Sequence, residues 1–333
     1  MPDPAVLEAV DVSMRFTVRG GLGRTATVRA LEHVSLRLHR GRTVALVGES
    51  GSGKTTLARL FALMYQPTSG EIRLRGEPVG VRRGSTARAY YSEVQMVLQD
   101  PFASLNPMHT VRHNLRRALR LHHFDGDLEE RMHELLRRVS LTPTQDFIGK
   151  LPHELSGGQR QRVSIARALA VAPKVLLGDE PISMLDVSMR LDLLNLLASL
   201  RDEEGLALLY ITHDIASARY LAEEICVMYA GQLVEGGPAE QVIQNPQHPY
   251  TKLLLEASPD PARTVSAAGQ SSFLPIADAG EPPSLIDPPG GCRFHPRCPV
   301  AKAECRTAFP ARTSAADGHW TNCWLYTSES EAS

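Results

Sequence analysis

Five short runs stand out along the chain because they are apolar at nearly every position: TVALV (43–47), EVQMVL (93–98), KVLLGD (174–179), LALLYIT (206–212) and EICVMYA (224–230). Runs of this length, rich in Val, Ile and Leu, read as strands covered on both faces, as in a parallel sheet. Between them apolar residues recur at helical spacing over 54–65, 111–140, 157–171, 187–204 and 214–222. Short strands alternating with helices predict an α/β fold with a mostly parallel sheet. The stretch 101–168 interrupts the alternation and reads as a nearly all-helical insert. Its arginines, Arg116, Arg117 and Arg120 among them, fit a solvated helix face.

Composition changes the picture at one place. Ten of the 23 prolines, four of the five cysteines and both tryptophans follow Ala257. This divides the chain into a domain over 1–257, a Pro-rich linker or surface-hugging segment over 258–291, and a cysteine-bearing segment over 292–333. At 333 residues and 43% hydrophobic content the chain can bury a sizeable core. Its 36 basic and 37 acidic residues leave a formal charge of −1, which supports neither a nucleic-acid nor a membrane-surface footprint. The start, MPDPAVLEAVDVSMRF, lacks the basic and apolar regions of a signal peptide. No uncharged apolar run reaches the ~18 residues of a membrane span, so a cytosolic protein is expected.

The chemistry concentrates where strands end. After TVALV comes GESGSGKTT: Gly48, Glu49, Ser50, Gly51, Ser52, Gly53, Lys54, Thr55 and Thr56, leading into a helical pattern. Glycines at this spacing between strand and helix turn backbone N–H groups toward one point, and the helix start adds its own unpaired amides. A phosphate fits there, with Lys54 directed at the β- and γ-phosphates and Thr55 at Mg²⁺. The run KVLLGDEP ends in Asp179 and Glu180, carboxylates at the end of a buried strand. Asp179 is expected to hold Mg²⁺ through its water shell and Glu180 to orient or deprotonate the attacking water. LSGGQRQR places Ser156 as the N-cap of a second helix whose glycines, Gly158 among them, leave amides uncovered. That second anion-binding helix start is expected to complete a neighbour's site.

In order along the chain stand GESGSGKT, the glutamine of VQMVLQDP, LSGGQRQR, VLLGDEP, SMLD and the histidine of YITHD. Together they resemble the P-loop, Q-loop, signature, Walker B, D-loop and H-loop of ABC transporter ATPases. VQMVLQDPFASLNP, QNPQHPYTKLLLEASP and GCRFHPRCP are similar to segments of the ATPase subunits of oligopeptide and dipeptide importers. The resemblance implies a P-loop NTPase core with an antiparallel N-terminal β part, a helical insert and a small cysteine-containing extension. It implies that Gln99 reaches the Mg²⁺ and the nucleophile, that His213 contacts the γ-phosphate, and that Ser156, Gly158 and Gln159 meet a partner's nucleotide. It further implies that Asp186 bridges a dimer interface. Phe16 either stacks on adenine or belongs to the core. Ile182 and Met184 stand where the family often has Thr and Ala, neither a catalytic position.

The function implied is ATP hydrolysis powering peptide import across a head-to-tail dimer, homo- or heteromeric. Its partners would be two permease subunits and, indirectly, an extracytoplasmic solute-binding protein, with no nucleic acid, at the cytoplasmic face of the cell membrane. DPFASLNP would form a groove for a short helix of the permease. Alternatives are the same machinery for oligosaccharide or nickel, and a soluble ABC-type ATPase uncoupled from transport. The second would call for long coiled-coil insertions or two cassettes, and the chain has one cassette and no sustained heptads. An ATP-binding subunit without turnover is opposed by Glu180 and His213.

Cys292, Cys298, Cys305 and Cys323 are spaced by five, six and seventeen residues, without the Cys-x₂-Cys of structural zinc. Four thiolates suit an iron–sulfur cluster, and the tail resembles the C-terminal segment of peptide-importer ATPases, some of which hold a [4Fe–4S] cluster. Zinc, with His295 or His319 in place of one thiolate, and free cysteines are the alternatives. Cys226, alone in an apolar strand, reads as core.

Overall fold

The computed structural model describes residues 4–19, 25–80, 84–100, 104–257, 280–314 and 316–327. Twelve strands are described: β1 (Leu7–Arg19), β2 (Thr25–Leu38), β3 (Thr43–Val47), β4 (Ser69–Leu74), β5 (Glu77–Val79), β6 (Val94–Val97), β7 (Val175–Asp179), β8 (Ala207–Thr212), β9 (Glu224–Tyr229), β10 (Gln232–Pro238), β11 (Thr313–Ser314) and β12 (Trp320–Thr321). The helices are α1 (Lys54–Phe61), α2 (Ser85–Glu93), α3 (Val111–Leu121), α4 (Leu128–Arg138), α5 (Gln145–Ile148), α6 (Gly157–Leu169), α7 (Val187–Glu204), α8 (Ile215–Leu221), α9 (Ala239–Gln244) and α10 (Pro249–Glu256). None of the described helices is long and apolar enough to cross a membrane.

An antiparallel sheet in the order β2-β1-β4-β5 faces a larger sheet in the order β11-β12-β10-β9-β3-β8-β7-β6. Strands β9, β3, β8, β7 and β6 of the larger sheet run parallel. Successive residues of β3 serve opposite cores: Val44 and Leu46 join the cluster that holds the antiparallel sheet, while Ala45 and Val47 join the cluster under α6, α7 and α8. Both faces being covered is why these strands lack polar alternation. Helix α1 lies between the sheets, its Leu57, Leu60 and Phe61 fully buried with Leu7, Ile72, Leu177 and Leu209.

The register brings the chemistry to one edge. Val47 pairs with Thr212, Asp179 with Ile211 and Val97 with Gly178, so β3, β8, β7 and β6 all end together. The loops that follow, carrying Gly48–Thr56, Glu180, His213 and Gln99, therefore leave the sheet side by side at its carboxyl edge, where ligands of such sheets bind.

The insert departs from expectation. The periodic run 111–140 is two helices, because the Asp127 carboxylate accepts from the amides of Glu129 and Glu130 at 2.8 and 3.2 Å and starts a new helix. Helix α6 packs on α3, α4 and β6, whereas α1 packs on β1, β2, β7 and β8. Much of the expected permease groove, Pro101, Phe102 and Ala103, lies outside the described residues, as do 258–279 of the expected linker.

The described tail is folded onto this core. β12 pairs antiparallel with β10 through Glu235–Thr321 and Gly236–Trp320, and Cys292, Phe294 and Cys305 join the larger core cluster. Arg293, 1% exposed, donates to the carbonyls of Arg29 and Ala230 and to Glu32.

Candidate functional site

The loop after β3 requires glycine at its ends. A Cβ on Gly48 would lie 2.1 Å from the Met228 carbonyl oxygen, and one on Gly53, whose φ is 106°, 2.7 Å from that of Ala30. Lys54 begins α1 and is buried; its Nζ donates to the carbonyls of Gly48 and Glu49 at 2.7 and 2.8 Å and approaches Ser52 Oγ at 3.4 Å. The ammonium thus sits inside the curl of the loop. Burial lowers its pKa, and the charges of Glu180, Asp179 and Glu49 work against that shift. Thr55 Oγ1 donates to Asp179 Oδ1 at 2.9 Å, and burial raises the Asp179 pKa while this hydrogen bond opposes it.

Glu180 is gripped at both carboxylate oxygens. Gln99 Nε2 donates to Oε2 at 3.0 Å, and His213 Nδ1 lies 3.4 Å from Oε1. Its backbone has φ 46°, the left-handed region that costs a non-glycine residue energy. The amide is held by the Ile211 carbonyl at 3.0 Å. Residues from the ends of β3, β6, β7 and β8 thus meet: Lys54, Gln99, Asp179, Glu180 and His213.

Ser156 caps α6 as expected, accepting from the Gln159 amide at 3.2 Å, while the Gln159 side chain accepts from the Ser156 amide at 3.0 Å. Gly158 is buried against Met189 and Leu185. Asp186 takes the N-cap position of α7 without a side-chain capping bond, and it is exposed. Phe16 is partly buried, edge-on to Tyr65 with centroids 5.3 Å apart.

Sequence reasoning missed two residues that touch the loop. Tyr250 Oη accepts from the Glu49 amide at 2.8 Å. Arg297 Nη1 donates to both Glu49 carboxylate oxygens at 3.1 Å and to Tyr229 Oη at 3.1 Å. The only signals were the triplets HPY (248–250) and HPR (295–297) inside segments already singled out.

The four tail cysteines, free of disulfides, border one small cavity together with His248 and His295. Burial pushes the Cys292 thiol up to about 12 and that of Cys323 to about 11, and raises that of Cys298. Among the described residues no group of three or more His, Cys, Asp or Glu is arranged to hold a metal ion. The expected iron–sulfur or zinc site gains no ligand geometry from this arrangement. His319 is turned elsewhere, its Nε2 2.7 Å from the buried Glu235. Cys226 is a buried residue of β9, its thiol pushed up to about 12 by burial. For Mg²⁺ the paired Thr55 hydroxyl and Asp179 carboxylate fit, since such sites take one or two carboxylates and complete their shell with substrate phosphates and water.

Residues 31–183 match the family model described as ABC transporter, and residues 234–305 the one described as oligopeptide/dipeptide transporter, C-terminal region. The chain is 40% identical over 326 residues to the oligopeptide transport ATP-binding protein AppF of Bacillus subtilis, covering 96% of this chain and 97% of that one. The chain belongs to the ABC transporter ATPases of the oligopeptide/dipeptide class. It is 39% identical over 320 residues to the dipeptide transport ATP-binding protein DppF of Haemophilus influenzae, covering 96% of each. Among solved structures it resembles the ATP-binding cassette MJ0796, a dimer in a post-hydrolysis state bound to ADP and Pi. The TM-score is 0.62 at 28% identity, covering 70% of this chain and 98% of that one. The α/β fold read from the sequence is that of the ABC ATPases, and the chain is an ATPase.

Proposed function

We propose that this chain powers peptide import, hydrolysing ATP at the cytoplasmic face of the membrane as one subunit of a dimer docked on two permease subunits. The observation that carries it is the grip on Glu180 by Gln99 and His213 beside the Lys54 loop. Gly48, Glu49, Ser50, Gly51, Ser52, Gly53, Lys54, Thr55 and Thr56 form the phosphate cradle, and Phe16, edge-on to Tyr65, either stacks on adenine or belongs to the core. Lys54 supplies positive charge to the β- and γ-phosphates. Thr55, Asp179 and Gln99 would hold Mg²⁺, which would supply positive charge to offset that of the phosphates. Glu180 accepts the proton of the attacking water, and its two partners hold the carboxylate in one orientation, an entropic contribution to the rate. His213, more than half exposed, contacts the γ-phosphate.

Ser156, Gly158, Gln159 and Asp186 act in trans, the α6 start lying against Leu185 and Met189, on either side of Asp186. Relatives named for oligopeptide and dipeptide transport support peptides as the cargo. A solute-binding protein would deliver them. The proposed units are 1–257, 258–291 and 292–333. The chemistry of the donor set, four free thiols around one cavity, supports a [4Fe–4S] cluster on Cys292, Cys298, Cys305 and Cys323, with zinc as the second candidate.

Reconstitution with the co-expressed permease in proteoliposomes tests the function: ATP-dependent uptake of a labelled peptide is expected, and ATPase activity indifferent to permease and peptide would overturn it. Iron and zinc analysis of anaerobically purified protein tests the tail. Stoichiometric iron lost in Cys298→Ser is expected, and metal-free protein with an ordered tail would remove the metal.

A further inference from the structure

The loop residue Glu49 is held on three sides. Its amide donates to Tyr250 Oη at 2.8 Å, its carboxylate meets Arg297, and its carbonyl accepts from Lys54 Nζ at 2.8 Å. Two of these holds come from outside the nucleotide-binding motifs, from the HPY and HPR triplets. Arg297 is itself fixed: its side chain is 10% exposed, its guanidinium lies 5.6 Å from the Tyr229 ring centroid and 5.8 Å from that of Phe294, and Tyr229 Oη accepts from it. Tyr229, Tyr250 and Phe294 pack as a cluster with centroids 4.6 to 5.5 Å apart.

The charges around the loop explain what this is for. Glu49, Asp179 and Glu180 all act electrostatically on Lys54. A triphosphate entering this loop meets three carboxylates and one lysine. Mg²⁺ would answer the charge around Asp179, whereas the cation that meets the Glu49 carboxylate is Arg297. The Glu49 carboxylate is only a quarter exposed and so is partly shielded from solvent screening, and left unanswered its charge would repel phosphates entering the loop.

We propose that Arg297 is a positioning residue of the nucleotide site: it neutralises Glu49 and fixes the carbonyl that seats Lys54, so the C-terminal segment sets ATP affinity. The proposal rests on the reading of Gly48–Thr56 as the phosphate cradle. It gives the tail a role in this chain's own ATP site in addition to any metal it holds. His248 extends the link: its Nδ1 accepts from the Tyr250 amide at 3.1 Å, and its Nε2 lies 3.9 Å from Cys292 Sγ.

The test is a double-mutant cycle on the full chain, read as equilibrium binding of labelled ATP with Mg²⁺. Arg297→Gln is expected to weaken binding about tenfold, the scale of one charge-assisted hydrogen bond. In a Glu49→Gln background the same change is expected to cost less than about threefold, because no charge is left to answer. Arg297→Lys, which keeps the charge, is expected to retain most of the affinity, and Arg297→Met, which removes the charge at similar length, replaces Arg297→Gln in the cycle if the latter does not fold. Unchanged affinity in Arg297→Gln, or an equal loss in both Glu49 backgrounds, would overturn the proposal, the second outcome tracing the loss to the tail's packing. Lys54→Ala is the control: if it too leaves binding unchanged, the cradle reading fails first.

Discussion

At Glu180 a left-handed backbone, a glutamine and a histidine meet on one carboxylate, and this is the point where chemistry is most sensitive to a single atom. Glu180→Gln keeps the shape and removes the proton acceptor. ATP binding should persist while steady-state hydrolysis falls at least ~100-fold, the usual contribution of a general base. Turnover within twofold of the parent would take Glu180 out of that role. Lys54→Ala acts earlier, because it empties the curl of the loop of its charge. Labelled-ATP binding should weaken about tenfold or more, with hydrolysis following it. These residues were legible in sequence because each lies in the loop after a buried strand or at its far end and the register aligns the strand ends. Tyr250 and Arg297 were not, since 201 and 248 residues separate them from Glu49 and only the folded sheet edge brings them together.

Among the elements, those with a clean hydrophobic period were readable and those with a local interruption were not. Helix α7 spans the residues its pattern predicts, Val187–Glu204, whereas the 111–140 run hides the Asp127 cap that splits it, because apolar spacing continues across the break. Strand β1 shows no steady alternation, since its pairing with β2 shifts register between Ala9 and Val12 and again before Met14 and Arg15. The antiparallel sheet was therefore foreseen only through family resemblance. Helix α6 makes a prediction at this scale. A Cβ on Gly158 would sit 2.8 Å from Met189 Sδ, a flexible side chain that can move, so a bulky residue there mainly covers the helix start. Gly158→Val should leave ATP binding at this chain's own loop intact and impair turnover at the site whose Lys and Glu lie on the partner. Nucleotide trapping resolved by site in the assembled dimer checks it. Loss confined to this chain's own loop would contradict the head-to-tail arrangement.

For the molecule as a whole, the question is what holds a Pro-rich, cysteine-bearing tail on an ATPase core. Composition suggested a boundary at Ala257, but composition cannot report docking. Arg293 supplies much of it: its amide donates to Gln232 Oε1 at 3.1 Å, Gln232 Nε2 donates to the Gly291 carbonyl at 3.1 Å, and its guanidinium reaches Arg29, Ala230 and Glu32. These contacts join β2, the β9–β10 turn and the tail at one buried cation. Burial lowers the guanidinium pKa, and Glu32 opposes that shift, so the cation depends on its partner. Arg293→Ala should leave Glu32 and two carbonyls without this donor and cost about 2–3 kcal/mol. That is less than the ~3–5 kcal/mol of a fully buried pair, because the Glu32 side chain remains 23% exposed. The melting midpoint of the full chain should fall by about 5 °C. Because the same segment carries Arg297, ATP affinity should fall as well, whereas a surface variant such as Arg112→Ala, whose partner is the half-exposed Glu129, should shift neither. An unchanged midpoint in Arg293→Ala would move the docking of the tail onto the β10–β12 pairing alone.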